Sequence, residues 1–188
     1  MFCIIELKKA QEGGEKMLYD NQKDAFNGLL YFVDKMDRKI AILLGDRRSG
    51  RTSLIVELCK KIIDNETFRS ATNDHYKHRE IFSVKLKSWS LVIERNMFVE
   101  QGVSEVKFIS LSDLVDGKYH INSNSLVIVD DCELVVGYKS TVIDVLKTIE
   151  HIANNRDCQF ILVLDRDKLK QPPCIPAVIY TIKELETI

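Results

Sequence analysis

The sequence predicts an α/β fold in three layers, with a mostly parallel central sheet flanked by helices. Two largely apolar runs, residues 39–44 and 125–129, have the length and composition of central strands covered on both faces. The first run leads through a glycine-containing loop into residues 52–63, where apolar positions recur at helical spacing. Strands and helices that alternate in this way indicate parallel β-α units joined by right-handed crossovers.

The rest of the chain continues this alternation. A first helix is expected up to residue 36, with Asp20 or Asn21 as its N-terminal cap. Further strands are expected at residues 81–86, 106–109, 160–164 and 177–182, and further helices at 91–101, 111–115 and 141–154. Residues 1–19 are expected to form an N-terminal extension or, over residues 1–7, an edge strand.

Composition and charge bound the class of protein. With 188 residues, 45% of them apolar, the chain can bury a substantial core, and a single domain over residues 1–188 is expected. The net charge of -1 does not indicate nucleic-acid binding by the protein surface as a whole, so any DNA contact requires a local basic patch. The five cysteines include no C-x-x-C pair, which indicates reduced thiols, and Cys59, Cys132 and Cys158 are expected in the core. The apolar run near the N-terminus is too short for a signal peptide or a membrane span, so a cytoplasmic protein is expected.

The loop that follows residue 44 has the residues of a phosphate-binding loop. Gly45 and Gly50 tolerate the dihedrals that let several backbone N–H groups point at one anion. A helix that begins near Arg51 adds its N-terminal amides and the positive end of its dipole. The known pattern G-x-x-x-x-G-K-[ST] is matched at both glycines and at Thr52, but Arg51 replaces its lysine. These residues predict a nucleotide site, and the alternative is a surface turn between a strand and a helix.

Two carboxylates, Asp130 and Asp131, follow the second apolar run directly. This position is the carboxyl end of a central strand, where open α/β sheets bind their ligands. Asp130 suits the carboxylate that holds the outer shell of a magnesium ion, with the hydroxyl of Thr52 as a ligand of the ion itself, and Asp131 suits the base that orients an attacking water. The alternative is a strand that ends in two solvated aspartates.

Residues 45–52 and 126–131 together resemble the Walker A and Walker B motifs of P-loop NTPases, in the division with an extra strand between the two motif strands. Asp131 stands where that division usually carries glutamate. Residues 43–52 are similar, within this division, to the arginine-bearing P-loop of viral large terminases, the DNA-packaging motors. The resemblance implies Mg-ATP as cofactor, and it implies that Arg47 or Arg48 acts in cis on the γ-phosphate. The nucleotide-binding residues implied are Gly45, Asp46, Ser49, Gly50, Arg51, Thr52 and Ser53.

The resemblance also implies roles for residues outside the two motifs. Asp165, at the end of the strand that follows Walker B, would sense the γ-phosphate, and a plain strand-end turn explains it equally well. Gln22 would read the adenine base, and the alternative is a glutamine exposed to water near a helix N-terminus. A basic cluster with nearby aromatic residues suits DNA contact, and ordinary solvated positions are its alternative. Its members are Tyr76, Lys77, His78, Arg79, Lys85, Lys87 and Trp89.

Three functions are consistent with these residues. The first is an ATPase that moves or remodels nucleic acid, in viral DNA packaging if the terminase resemblance holds, with assembly into a homo-oligomer or a larger viral complex in the host cytoplasm. The second is a degenerate nucleotide-binding or structural subunit that has lost hydrolysis through Arg51 and Asp131. The third is a protein-interaction module that keeps the fold without binding nucleotide.

Overall fold

A computed structural model describes residues 18–46, 48–64, 79–85, 95–130, 141–168 and 175–183. The strands are β1 (Ile40–Gly45), β2 (Ile81–Lys85), β3 (Lys107–Ser110), β4 (Leu126–Val129), β5 (Gln159–Asp165) and β6 (Val178–Thr181). The helices are α1 (Asp20–Lys35), α2 (Arg51–Asp64), α3 (Leu111–Val115) and α4 (Thr141–Arg156), with a 3-10 turn at Arg166–Lys168. Residues 95–100 are also helical.

The six strands form one sheet in the order β3-β2-β4-β5-β1-β6, and every pairing is parallel. This arrangement confirms the predicted α/β class with a parallel sheet. Strand β5 pairs with both β1 and β4, so it is the extra strand between the two motif strands. The motif strands therefore lie two positions apart, roughly 10 Å between their axes.

Helices cover both faces of the sheet, as the three-layer prediction requires. Successive residues of a strand point to opposite faces, so Ile42 packs into one cluster and Leu43 into the other. On the Leu43 face the cluster includes side chains from α1, α2 and the 95–100 helix. On the Ile42 face it includes side chains from α3 and α4. Strands β1, β4 and β5 are buried along their whole length because both of their faces are covered.

The element boundaries agree with the predicted ones within about two residues over the described ranges, and α3 has the predicted bounds. The predicted cap of α1 is wrong: Tyr19 occupies the cap position, while Asp20 lies within the first turn and pairs with Lys23. Helix α1 ends where Met36 adopts a left-handed conformation with φ 52°. The predicted edge strand over residues 1–7 lies outside the described residues.

Cys59 and Cys158 are buried and unbridged, as predicted, while Cys132 lies outside the described residues. Within the described ranges, no helix combines the length and apolarity that crossing a bilayer requires.

Candidate phosphate-binding site at the carboxyl edge of the sheet

The ends of three adjacent strands bring the predicted site residues to one edge. Gly45 ends β1 and lies opposite Asp165, the last residue of β5. Asp130 directly follows β4, whose last residue Val129 pairs with Leu162 of β5. Asp130 and Asp165 are both largely buried. The parallel topology therefore gathers the loop and two of the predicted acids at the carboxyl edge, as the sequence predicts.

The loop after β1 is a tight turn that leads straight into α2. The backbone N–H of Ser49 donates to the Asp46 carbonyl at 3.0 Å, which closes a tight turn. Arg48 and Gly50 both have positive φ, 71° and 82°. The Gly50 carbonyl accepts from Leu54 N–H at 2.9 Å, so the first turn of α2 begins immediately after the loop. The first amides of a helix have no partner within the helix, and here they face the loop.

A side chain at Gly45 would fit only if its neighbours moved. A Cβ atom there would lie 2.5 Å from Ser49 Oγ and 3.0 Å from Arg51 Cγ. The aliphatic part of the Arg51 side chain therefore lies beside the end of β1. The guanidinium that it carries is larger than the ammonium of the usual lysine.

Two polar atoms of this loop are buried without a hydrogen-bond partner among the described residues: Arg51 Nη1 and Ser49 Oγ. An unsatisfied buried donor costs about 1–3 kcal/mol, more when it carries charge. Native proteins rarely leave such groups unpaired, so each one requires an explanation. A cationic donor and a hydroxyl beside a helix N-terminus fit an anion such as a phosphate.

Gln22 lies against this loop and is not exposed, so the alternative of a solvated glutamine is wrong. Its side chain is 2% exposed, and Nε2 donates to the Ser49 carbonyl at 2.9 Å and contacts the Gly50 carbonyl at 3.4 Å. Its Oε1 accepts from Tyr19 N–H at 3.2 Å. The amide thus braces the loop backbone against the start of α1. Adenine recognition by Gln22 stays a prediction.

The 3-10 turn after β5 contacts both the loop after β1 and the segment that follows β6. Asp165 Oδ1 accepts from Asp167 N–H at 3.2 Å, which is the strand-end turn that the sequence allowed. Arg166 Nε lies 3.5 Å from Asp46 Oδ1, and its Nη2 donates to the Ile182 carbonyl. Asp46 and Arg166 therefore form a partly exposed ion pair. A γ-phosphate role for Asp165 stays a prediction.

The structure pairs Asp130 with a residue that sequence reasoning placed elsewhere. Lys85 ends β2, the strand beside β4, and its Nζ lies 2.6 Å from Asp130 Oδ2. The Lys85 and Asp130 side chains are 8% and 10% exposed. The prediction that Lys85 belongs to an exposed basic cluster is wrong, because the carboxylate draws its ammonium inward. Charged residues that end two neighbouring parallel strands were the signal for this pair.

Arg79 does not extend that cluster either. It precedes β2, at the opposite end of the strand from Lys85, and donates to the Val33 carbonyl at 2.9 Å and to Gln159 Oε1. The other five cluster members, residues 76–78, 87 and 89, lie outside the described residues. No continuous basic patch is formed by the two members that the structure describes.

A magnesium role for Thr52 and Asp130 stays a prediction. One oxygen of Asp130 is held by Lys85, and no group of three or more His, Cys, Asp or Glu among the described residues could hold a metal ion. Thr52 and Ser53 are partly buried in the first turn of α2, and Arg48 is exposed. Arg47 and Asp131 lie outside the described residues, so their predicted roles stay predictions.

No protein-family model matches the chain, and no curated protein matches its sequence. Among solved structures it is similar to domain III of the Thermotoga maritima replication initiation protein DnaA, with a TM-score of 0.51 and 9% identity over 88% of this chain and 64% of that one. It is also similar to Drosophila ORC bound to DNA, with a TM-score of 0.50 and 13% identity over 87% of this chain and 43% of that one.

The chain spans less than two thirds of the length of either of these structures. At such identities the likeness shows the fold alone. Together with the strand order and the loop between β1 and α2, it defines the class: the chain has the P-loop NTPase fold.

Proposed function

We propose that this chain is a nucleotide-binding P-loop protein of the AAA+ kind, which binds the phosphates of ATP on residues 45–53. The observation that carries the proposal is the buried Arg51 Nη1, which has no partner among the described residues and lies beside the N-terminus of α2. Ser49 Oγ adds a second donor without a partner. The choice of ATP rests on the sequence resemblance.

Each loop residue has a distinct part in this proposal. The Arg51 guanidinium donates to a phosphate oxygen and offsets its charge, and the first amides of α2 donate beside it. Gln22 keeps the carbonyls of Ser49 and Gly50 turned away from the anion by bonding them. Arg48 is exposed and free to approach the γ-phosphate, the role that the terminase resemblance gives to Arg47 or Arg48.

We propose further that the macromolecule on which this protein acts is DNA. Two independent likenesses support this: the fold is shared with a replication initiation protein and with a complex bound to DNA, and the loop resembles that of DNA-packaging motors. Viral packaging is the narrower form of the proposal and rests on the loop alone. Assembly into a homo-oligomer belongs to the same proposal.

A second candidate is a subunit that binds nucleotide with little or no hydrolysis. Two observations favour it over a fast motor: Arg51 replaces the P-loop lysine, and Lys85 pairs with one oxygen of the carboxylate predicted to act on magnesium. A guanidinium does not reproduce a lysine ammonium at a site that requires close approach. Phosphate release at several protein concentrations, with and without DNA, separates the candidates. The motor predicts DNA-stimulated release that Asp130→Ala abolishes.

Thermal unfolding with and without ATP tests the nucleotide proposal. A ligand at a hundred times its Kd stabilises the native state by about 2.7 kcal/mol, a rise of roughly 5–10 °C in Tm for a chain of this size. Arg51→Ala should remove that rise. Arg38→Ala is the matched control, because Arg38 is an exposed arginine just before β1 at the opposite edge of the sheet. If ATP leaves the Tm of the wild type unchanged, the protein-interaction module becomes the better account.

Replacing the loop arginine by the usual lysine tests the effect on hydrolysis. If Arg51 limits turnover, Arg51→Lys should raise the rate of phosphate release while the fold is kept. An unchanged or lower rate would count against that explanation of slow hydrolysis. A separate test measures DNA binding at several salt concentrations. An affinity that falls steeply with salt would support contact with the phosphate backbone, and no binding would contradict the proposal that the protein acts on DNA.

A further inference from the structure

We infer that a second copy of this chain docks on the β3 edge of the sheet, in a symmetric dimer whose two β3 strands run antiparallel about Val106. The inference rests on the proposed function, because assembly into a homo-oligomer is part of that proposal, and it names the surface involved. This surface is remote from the nucleotide loop. In the order β3-β2-β4-β5-β1, four strand spacings separate β3 from β1, roughly 19 Å.

Strand β3 is an open edge of the sheet. It pairs with β2 on one side, and no strand of the described ranges lies on its other side. An edge strand presents backbone N–H and C=O groups that another strand can pair with, and proteins use such edges for strand addition. The opposite edge strand, β6, carries no charged residue, so the charge argument made below for β3 does not extend to it.

A groove of about 360 Å³ lies against β3 and exposes apolar side chains. Its described lining includes Arg95 and Val99 from the 95–100 helix, Lys107 from β3, and Tyr119. Val99 and Tyr119 are 52% and 46% exposed, which is unusual for large apolar side chains in this fold. A partner seated on this edge would remove both of them from water, and exposed apolar groups gathered at one place are typical of interaction surfaces.

The charges beside the groove distinguish between DNA and protein as its occupant. Arg95 and Lys107 line the groove, but the exposed acids Glu100 and Glu105 adjoin lining residues in the chain. Lys107 also pairs with Glu80. DNA would be repelled by these carboxylates. A surface that carries both signs suits a protein partner with both signs, and a second copy of the chain supplies them by symmetry.

The order of charges around Val106 is self-complementary. Glu105 precedes Val106 and Lys107 follows it, so antiparallel pairing about Val106 places each Glu105 opposite the partner's Lys107. Side chains alternate between the two faces, so both charged side chains share one face. The core clusters agree, because Val106 and Phe108 pack into one and Ile109 into the other. Opposite charges across a strand pair are stabilising, and the symmetry forms this pair twice.

Sedimentation equilibrium of the full chain without nucleotide tests the inference. The wild type should approach twice the mass of one chain as its concentration rises to roughly 300 μM, a range that detects weak dimers. Lys107→Glu places like charges opposite one another twice and should weaken self-association at least tenfold. Lys183→Glu is the matched control, since Lys183 also pairs with an acid and is 69% exposed, but follows β6 at the other edge. It should leave the dimer unchanged.

A charge swap tests the register itself. Lys107→Glu combined with Glu105→Lys exchanges the two charges, so opposite charges again face one another across the symmetry axis. Self-association should return to within about threefold of the wild type. A swap that restores nothing would overturn the inference. So would a wild type that stays monomeric over this range, or a dimer that Lys107→Glu leaves unchanged, because the copies would then meet through another surface.

The apolar part of the surface provides a measurement that does not depend on charge. Tyr119→Ser should weaken self-association by roughly fivefold, because it removes an aromatic side chain from the interface. Tyr31→Ser is its control, since Tyr31 is 60% exposed but lies on α1. Equal effects of the two substitutions would contradict the placement of the groove in the interface.

Nucleotide binding is measured separately on the same proteins. Lys107→Glu should keep the rise in Tm that ATP produces in the wild type, because β3 is remote from the loop after β1. Loss of that rise in Lys107→Glu alone would contradict the inference. A dimer without any ATP-induced rise would support the inference and contradict the nucleotide proposal, and a monomer with such a rise would do the reverse.

Discussion

Two buried glutamines lie at opposite edges of the sheet. The side-chain amide of each donates to two backbone carbonyls, but the arginines near them differ in their hydrogen bonds. At the amino edge, Gln159 Nε2 donates to the carbonyls of Phe32 and Arg38 at 2.7 and 3.0 Å. At the carboxyl edge, Gln22 Nε2 donates to the carbonyls of Ser49 and Gly50. Both side chains are almost completely buried. Gln22 therefore joins the start of α1 to the loop after β1, and Gln159 joins β5 to the end of α1 and to the segment that follows it.

The difference lies in what surrounds each amide. Gln159 Oε1 accepts from the Arg79 guanidinium, so the arginine at the amino edge is bonded within the chain. At the carboxyl edge, Arg51 Nη1 stays without a partner among the described residues. At the amino edge, which we call the closed edge, both terminal nitrogens of Arg79 donate within the chain. At the carboxyl edge, a terminal nitrogen of Arg51 has no such bond among the described residues, and we assign that nitrogen to a ligand.

The largest effect is expected at the closed edge. Gln159→Met removes three hydrogen bonds, one of them to a guanidinium, and we expect a loss of about 4 kcal/mol in the free energy of unfolding. The increase in Tm that ATP produces should be retained. Urea denaturation with and without ATP measures both quantities, and Gln101→Met, in the turn at residues 101–102, is the control. A loss below 1 kcal/mol would show that the amide network contributes little.

The second-largest effect distinguishes the contact between Gln22 and the loop from the conformational cost of a positive φ. Gly50 and Gly102 have nearly the same φ, 82° and 81°. A Cβ on Gly50 would lie 2.2 Å from Gln22 Nε2, whereas a Cβ on Gly102 meets no atom within 4 Å. We expect Gly102→Ala to cost about 1 kcal/mol from conformation alone and Gly50→Ala to cost about 3 kcal/mol.

The double variant Gln22→Ala with Gly50→Ala tests the origin of that difference. The double variant lacks the amide with which the new Cβ would clash. Its loss of stability should therefore be smaller than the sum of the losses in the two single variants. Equal costs for the two glycine substitutions would contradict the close contact between Gln22 and the loop. Urea denaturation at constant pH measures all four variants.

A smaller loss of stability, joined to a loss of binding, is expected for Gln22→Met. It frees the Ser49 and Gly50 carbonyls and should cost about 2 kcal/mol. It should also weaken ATP binding by roughly tenfold, because the loop loses its fixed shape. Titration calorimetry measures the affinity. A tenfold loss of affinity after Gln159→Met, with none after Gln22→Met, would reverse our assignment of the two edges.

The smallest effect is a pH dependence at the closed edge. Burial raises the pKa of the Cys158 thiol to about 11 from its ordinary value of 9.0, so the folded state keeps this proton where the unfolded state has lost it. Stability is therefore lost as pH rises above 9, by roughly 1 kcal/mol between pH 8 and pH 10. Cys158→Ala should remove this part of the slope in urea denaturation. Identical slopes would contradict the burial of a neutral thiol.

The sequence predicts most of this fold because the four inner strands of the sheet are buried along their whole length. Such burial requires uninterrupted apolar runs, which are visible in residues 126–129 and 160–164 without any knowledge of their partners. The start of helix α3 is also determined by residues close in the chain: the Ser110 side chain caps the helix by accepting from the N–H of Asp113, three residues later. The loop between β1 and α2 is predictable for the same reason, since its glycines and the start of the helix are adjacent in the chain.

The contacts that sequence reasoning missed are long-range and polar. Gln22 bonds a carbonyl 27 residues away, and Lys85 pairs with an acid 45 residues away. Nothing in the neighbouring residues distinguishes these side chains from solvated ones, because their burial depends on which strands become neighbours. Once the strand order is known, the pairing of Lys85 with Asp130 follows from register alone.

The central claim is that the loop after β1 and the start of α2 bind a triphosphate through Arg51. A crystal structure with a non-hydrolysable ATP analogue tests it most directly. Our account predicts phosphate oxygens within hydrogen-bonding distance of Arg51 Nη1 and Ser49 Oγ. An analogue bound away from this loop, or a loop unchanged and empty at saturating analogue, would contradict the account.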